Sequence, residues 1–368
     1  MKDNDQKKRS SKDKIKVLIV EDSAVMQEML SAILSSDLSL EVIGAVSNGL
    51  EAIEFVRKNK PDVITMDVNM PVMNGLVATR QIMETTPIPI IIVSETVNPR
   101  DVNDTFKTLE AGAVSIIHKP APYGTEKNKT YSKELCQKVK LMSEIKLVRR
   151  IPGNFNKANS NDPVLFNASM ENLKHEIKKR LSVVAIGAST GGPVVLEKIL
   201  SGLPKSFPLP VLVVQHITAG FTSGLVDWLN ATSSIPVKIP SNGEEILGGM
   251  CYIAPDNYHL KLKSNGFVLL SEEPPVYNSK PSVSVLFKSV AEAYGAGAIG
   301  IILTGMGKDG ADELRLMKDK GALTIAQNKE TSIVFGMPGE AIKAGGAKFV
   351  LPPEDILSVL VEAAEIAK

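Results

Sequence analysis

Apolar residues along the chain fall into two series of short β-rich runs separated by longer amphipathic stretches. From residue 16 to about residue 150 the runs are KVLIV (16–20), EVIGAV (41–46), DVITM (62–66), PIIIV (89–93) and AVSII (113–117). That alternation predicts a doubly wound, five-stranded parallel sheet with helices on both faces. A second series begins at Leu181 with SVVAI (182–186), PVLVV (210–214), GAIGIIL (297–303) and ALTIA (322–326). These runs are apolar without alternation, as strands buried on both faces should be. Between them MCYIA, HLKLK and GFVLL (250–270) predict a small antiparallel insertion in an otherwise parallel α/β unit. The stretch 150–172, rich in Asn, Ser and Pro, has no periodicity and reads as a linker that ends in a short helix before Leu181.

At 368 residues the chain exceeds one typical core and divides into two domains. The expected bounds are a disordered charged tail at 1–14, a first α/β domain at 15–150, the linker at 151–180 and a second α/β domain at 181–368. A formal net charge of +1 gives no bulk attraction to nucleic acid or to an anionic membrane. No apolar run approaches the roughly 18 residues of a membrane span, and the charged N-terminal stretch is no signal peptide. A cytoplasmic protein without membrane insertion is therefore expected. Cys136 and Cys251 fall in different domains and read as packing residues in a reducing compartment.

Ligands of an open α/β sheet collect at the carboxyl ends of its strands. In the first domain those ends carry Glu21 and Asp22, then Asp67, Ser94 and Lys119. Three converging carboxylates repel one another unless a hard divalent cation such as Mg²⁺ takes oxygens from them. Ser94 and Lys119 would then face the oxygens of a phosphoryl group, with Asp67 as its acceptor. The signatures VEDS, TMDVNMPVMNG and HKP resemble those of response-regulator receiver domains. The resemblance implies that a histidine kinase phosphorylates Asp67 and that Asn69 supplies a backbone carbonyl to the metal. Ile116 departs from it, standing where an aromatic residue is usual three positions before the lysine.

In the second domain GASTGGP (187–193) lies between two apolar runs and contains G-x-S-x-G. One reading is a serine held on a tight strand-to-helix turn; the other is a glycine-rich phosphate cradle at a helix N-terminus. A nucleophilic Ser189 needs a base, and of four histidines (118, 175, 216 and 259) only His216 directly follows a core strand of this domain. An orienting carboxylate is expected at another strand end, where Asp309 sits in a glycine-rich loop; Asp312 is the competing choice, but it lies inside the next amphipathic helix. GAGAIG (295–300) matches G-x-G-x-x-G, yet it follows a helix and opens a strand, so a helix stop and turn explain it better than a dinucleotide site. Helix-start N–H groups after Ser189 are available to an oxyanion.

Together IGASTGGP, QH, YIAPDNYH, KPSVSVLF, LTGMGKDGA and FGMP, downstream of a receiver, closely resemble the CheB family of chemotaxis protein-glutamate methylesterases. The resemblance spans residues 15 to about 352. It implies that Ser189, His216 and Asp309 hydrolyse glutamyl methyl esters on the cytoplasmic helices of methyl-accepting chemotaxis receptors, with glutamine deamidation as a second activity. It also implies that Thr190 and Met306 line the active site and that the esterase half needs no cofactor. The sequence departs from the family at QHITAGFT, at Lys280, at Ser284 where aspartate is common, and in its long linker. The competing functions are a receiver-controlled docking protein without esterase activity and an enzyme that is mainly a deamidase.

Overall fold

A computed structural model describes residues 14–95, 99–120, 125–145 and 181–366. The expected tail up to residue 13 and the expected linker at 151–180, with His175 in it, lie outside the described residues. The chain divides into two compact units, Met1–Pro152 and Gly153–Lys368.

In the first unit five strands, β1 (Ile15–Val20), β2 (Leu40–Val46), β3 (Val63–Met66), β4 (Ile90–Ser94) and β5 (Ser115–His118), form one parallel sheet in the order β2-β1-β3-β4-β5. Five helices connect or follow them: α1 (Ala24–Ser35), α2 (Gly49–Lys58), α3 (Gly75–Thr85), α4 (Pro99–Glu110) and α5 (Glu126–Ser143). Local chemistry sets several helix starts. The side chains of Ser23, Asn48, Asn74 and Thr125 accept the N–H groups of Met26, Glu51, Val77 and Asn128, which would otherwise lack partners. Strand order reverses between the parallel neighbours β1 and β3, so the crevice at their carboxyl ends is where side chains from both can meet.

The second unit is a seven-stranded parallel sheet ordered β14-β13-β12-β6-β7-β9-β8. Its members are β6 (Val183–Ala188), β7 (Val211–Gln215), β8 (Val237–Lys238), β9 (Cys251–Ile253), β12 (Ala298–Ile302), β13 (Leu323–Gln327) and β14 (Phe349–Leu351). The helices are α6 (Gly192–Gly202), α7 (Thr222–Thr232), α8 (Val283–Tyr294), α9 (Ala311–Asp319), α10 (Met337–Lys343) and α11 (Pro353–Ile366). Strands β10 (His259–Leu262) and β11 (Val268–Ser271) pair with each other as an antiparallel hairpin.

One detail differs from the sequence reading. The MCYIA run does not belong to the antiparallel insertion, because Cys251–Ile253 pairs in parallel with β7 and β8. All three of its residues are buried, including Tyr252, as a strand inside a helix-covered sheet requires. Strands β8 and β14, two and three residues long, were too short to stand out as apolar runs. Around Gly295 the expected helix stop is present: this residue ends α8 at φ 47°, and β12 begins at Ala298.

Candidate functional site

The crevice of the first unit gathers the charged residues expected there. Ligand atoms of Glu21, Asp22 and Asp67 all lie within 4.8 Å of one another. Lys119 Nζ donates to Asp67 Oδ2 at 3.0 Å and to Glu21 Oε1 at 3.1 Å. Burial, reinforced by the charge of Asp67, pushes the Glu21 carboxyl up to about 7 against the opposing pull of Lys119. Burial likewise raises Asp67, although Lys119 pulls the other way. For Lys119, burial alone would lower the ammonium, but the two carboxylates overcome it and raise its pKa. Glu21 Oε2 is buried and no hydrogen bond from the described residues reaches it, although the Lys119 charge lies 3.0 Å away. A crowded, partly unsatisfied carboxylate set of this kind fits a hard divalent cation. Ser94 is buried with its hydroxyl 3.0 Å from Thr105 Oγ1 on α4, and Asn69 is exposed just beyond Asp67.

In the second unit the strand order reverses between β6 and β12, which lie side by side and parallel. Ser189 follows β6, His216 follows β7 and Asp309 follows β12, so all three share one carboxyl edge. Ala188 and Gln215 pair in register, and the His216 N–H donates to Ala188 O at 2.8 Å. The residues after that pair, Ser189 and His216, are therefore neighbours. His216 Nε2 lies 2.9 Å from Asp309 Oδ2. Because the carboxylate only accepts, Nε2 carries the proton and Nδ1 is left as the basic nitrogen. The Ser189 hydroxyl makes no hydrogen bond among the described residues. Unliganded sites often hold nucleophile and base looser than the reacting complex does.

Each small residue around Ser189 has its own reason. Gly191 has φ 79°, which a side chain rarely tolerates, and hands the chain into α6. Gly187 gives way to Val283, the first residue of α8. Gly192 makes room for Gln215, whose Nε2 donates to both Ser189 O and His216 O at 2.8 Å. Gln215 therefore ties the nucleophile's strand end to the base's, a role its polar character inside an apolar run hints at. The Gly192 N–H is spent on Ser189 O at 2.8 Å. Those of Thr190, Gly191 and Met306 have no acceptor among the described residues. Thr190 is half-buried and Met306 is exposed beside Gly305, where a Cβ would lie 2.7 Å from that of Ser189.

Asp309 is the most heavily engaged group. Oδ2 accepts the Val283 N–H at 2.8 Å, and Oδ1 accepts the Ser282 hydroxyl at 2.8 Å and the Ser284 N–H at 2.9 Å. This carboxylate thus caps the N-terminus of α8 from across the fold. Burial by itself would raise Asp309, but His216 and Ser284 hold it below the ordinary aspartate range. The Ser284 hydroxyl, standing where aspartate is common in the family resembled, donates to Glu313 Oε2 at 2.6 Å and accepts the Gly310 N–H at 2.8 Å. Asp312 is exposed on the first turn of α9. The phosphate-cradle reading of the glycines has less support, since the first-turn N–H of Gly192 is already bonded within the turn.

Comparison with known proteins follows the same division. The family described as CheB methylesterase matches residues 184–360, and the response regulator receiver domain matches residues 17–126. A protein-glutamate methylesterase/protein-glutamine glutaminase 4 of Geobacter metallireducens is 46% identical over 351 residues, spanning 95% of this chain and 99% of its own. The corresponding protein 1 of Syntrophus aciditrophicus is 50% identical over 350 residues, spanning 95% of this chain and 98% of its own. The crystal structure of the Thermotoga maritima CheB methylesterase catalytic domain is 44% identical, covering 50% of this chain and 98% of that chain with a TM-score of 0.48.

Proposed function

Since this chain belongs to the CheB methylesterase family and carries a receiver domain ahead of the catalytic unit, we propose that Ser189, His216 and Asp309 hydrolyse glutamate methyl esters under receiver control. The observation that carries the assignment of residues is the 2.9 Å contact between His216 Nε2 and Asp309 on the edge shared with Ser189. Ser189 Oγ attacks the ester carbonyl while His216 Nδ1 takes the hydroxyl proton. Asp309 holds the ring in that tautomer and stabilises the imidazolium. The oxyanion meets the unpartnered N–H groups of Thr190, Gly191 and Met306. His216 returns the proton to the departing methoxide, which leaves as methanol. Water, deprotonated by the same imidazole, then attacks the acyl-serine and releases the glutamate carboxylate and the serine hydroxyl. The relatives' double name favours a second substrate at this site, a glutamine side chain, from which ammonia would leave after protonation by His216.

Our reading of the receiver unit is that Asp67 accepts a phosphoryl group from a histidine kinase. Glu21, Asp22, Asp67 and the Asn69 carbonyl would hold Mg²⁺ there, and the cation supplies positive charge to the phosphoryl oxygens. Lys119 then pairs with a phosphoryl oxygen in place of its present carboxylate partners, and the Ser94 hydroxyl turns from Thr105 to do the same. We place the receiver at 15–150 and the esterase at 181–368. The substrates are the cytoplasmic helices of methyl-accepting chemotaxis receptors, which puts the enzyme in the cytoplasm. No helix among the described residues is long and apolar enough to cross a membrane.

The test is methanol and ammonia release from receptor fragments bearing methylated glutamates or glutamines. Methanol release that is lost in Ser189→Ala is expected; a Ser189→Ala protein with full activity would refute the mechanism. A docking protein without esterase activity would bind the fragments and release neither product.

A further inference from the structure

One buried histidine of the catalytic unit is left unused by this mechanism. His259 opens β10 of the antiparallel hairpin and is completely buried. Both ring nitrogens are engaged: Nδ1 accepts the Ser282 N–H at 3.2 Å, and Nε2 lies 3.0 Å from the carbonyl of Pro274. A carbonyl can only accept, so Nε2 carries the proton and the Nδ1 lone pair is free for Ser282. Ser282 is itself fully buried and precedes α8, so its N–H has no acceptor within the helix. Its hydroxyl donates to Asp309, as do the next two backbone N–H groups.

We propose that His259 is a positioning residue for the esterase: its Nδ1 lone pair pins the Ser282 peptide, whose hydroxyl and following N–H groups hold Asp309 and, through it, the His216 ring. The connected array runs from Pro274 O through His259, Ser282 and Asp309 to His216. It gives the hairpin a function, because β10 is the element that brings an acceptor to the start of α8. Among ordinary side chains few can fill this position, which calls for an acceptor and a donor fixed in one rigid plane. The other titrating groups around the array are Glu313, bonded to the Ser284 hydroxyl, and Glu273 just beyond β11, paired with Lys261. Glu313 reaches the same turn of α8 independently of His259, so it does not replace the missing acceptor.

The inference rests on the Ser189–His216–Asp309 reading, and one set of variants of the full chain separates the two. Methanol release from a methylated receptor fragment is measured between about pH 5 and pH 9 for His259→Phe, His259→Asn and His259→Gln. Phe fills the space with neither polar atom. Asn Oδ1 takes the place of Nδ1, one bond from Cγ, while the longer Gln carries its amide towards Pro274. We expect His259→Phe to lower kcat on the order of tenfold or more with little change in KM. We also expect the acidic limb of its pH profile to move to lower pH, because an imidazolium less well paired with Asp309 loses its proton more readily. His259→Asn should recover most of kcat and the original limb, and His259→Gln should behave like Phe. A wild-type kcat in His259→Phe, a reduced kcat with an unmoved limb, or an Asn variant no better than Gln would overturn the proposal. If the Phe variant does not fold, the Asn and Gln pair decides. Ser189→Ala assayed in parallel tells the readings apart: activity there defeats the triad, whereas a dead Ser189→Ala beside an indifferent His259 defeats only this inference.

Discussion

Gly192→Ala is a one-carbon change with a consequence that can be worked out from the structure. The added Cβ would fall on Gln215 Oε1, inside the 3.0 Å that real Cβ contacts keep, and 2.7 Å from the Cβ of Ala188. Ala188 is the last residue of a buried strand and cannot retreat, so the Gln215 side chain must move, by on the order of 1 Å. Its Nε2 then loses Ser189 O and His216 O, both now at 2.8 Å. At about 1 kcal/mol for each bond, with more if the carbonyls stay dry, the expected destabilisation is about 2–4 kcal/mol. For a domain of this size that corresponds to a fall in Tm of roughly 5–15 °C. The larger effect should be on rate. The two bonds hold the strand ends carrying nucleophile and base, and a displacement of about 1 Å in such a pair costs on the order of 10²-fold. The assay is kcat/KM for methanol release at a temperature where circular dichroism shows the variant fully folded. A Gly192→Ala enzyme with wild-type kcat/KM, whatever its Tm, would show that Gln215 does not set the Ser189–His216 geometry. Gln215→Met, which keeps the volume and removes the donors, should match its activity.

Ser189→Ala and His216→Ala should each remove most of the esterase rate, on the order of 10³-fold or more, and the double variant should be little worse, since nucleophile and base act as one unit. Asp309→Ala should cost less and Asp312→Ala almost nothing; the reverse order of damage would move the third member of the triad to Asp312. Asp67→Asn should abolish phosphoryl incorporation from a small phosphodonor and leave basal methanol release measurable, whereas undiminished incorporation would assign the acceptor elsewhere. Asp309 also predicts a pH dependence of stability. Its folded pKa lies below the ordinary value of 3.8, so its contribution is fully present above that value and gone once the pH has fallen through the lower folded one. Urea unfolding of wild type and Asp309→Asn should therefore give stabilities that differ at neutral pH and converge in acid, and a constant difference would mean that the carboxylate charge contributes nothing.

Much of this protein was legible in its sequence because the signals are local. Continuous apolar runs identify parallel strands buried on both faces, and in an open α/β sheet the residue after such a strand is at the functional edge. That rule singles out Glu21, Asp22, Asp67, Ser94, Lys119, Ser189 and His216 as strand-end residues, whereas Asp309, further along the glycine-rich loop after its strand, also had to be preferred to Asp312 by the latter's place in the next helix. The exposed position of Asp312 followed equally from its place on an amphipathic helix. Tertiary structure decided what depends on partners distant in the chain. Strand β9 is three residues long, and only its burial beside β7 takes it out of the antiparallel hairpin and into the main sheet. The glycines of GASTGGP show in sequence that space is needed, but not that Val283 and Gln215 are what fills it. Nor does any local pattern reveal that Asp309 caps a helix beginning 26 residues before it, or that a hairpin histidine 23 residues before Ser282 supplies that residue's acceptor. Strand periodicity and turn chemistry act over a few residues and leave their mark in the sequence, whereas a buried hydrogen bond between distant segments satisfies groups whose need appears only when folding has removed water from both.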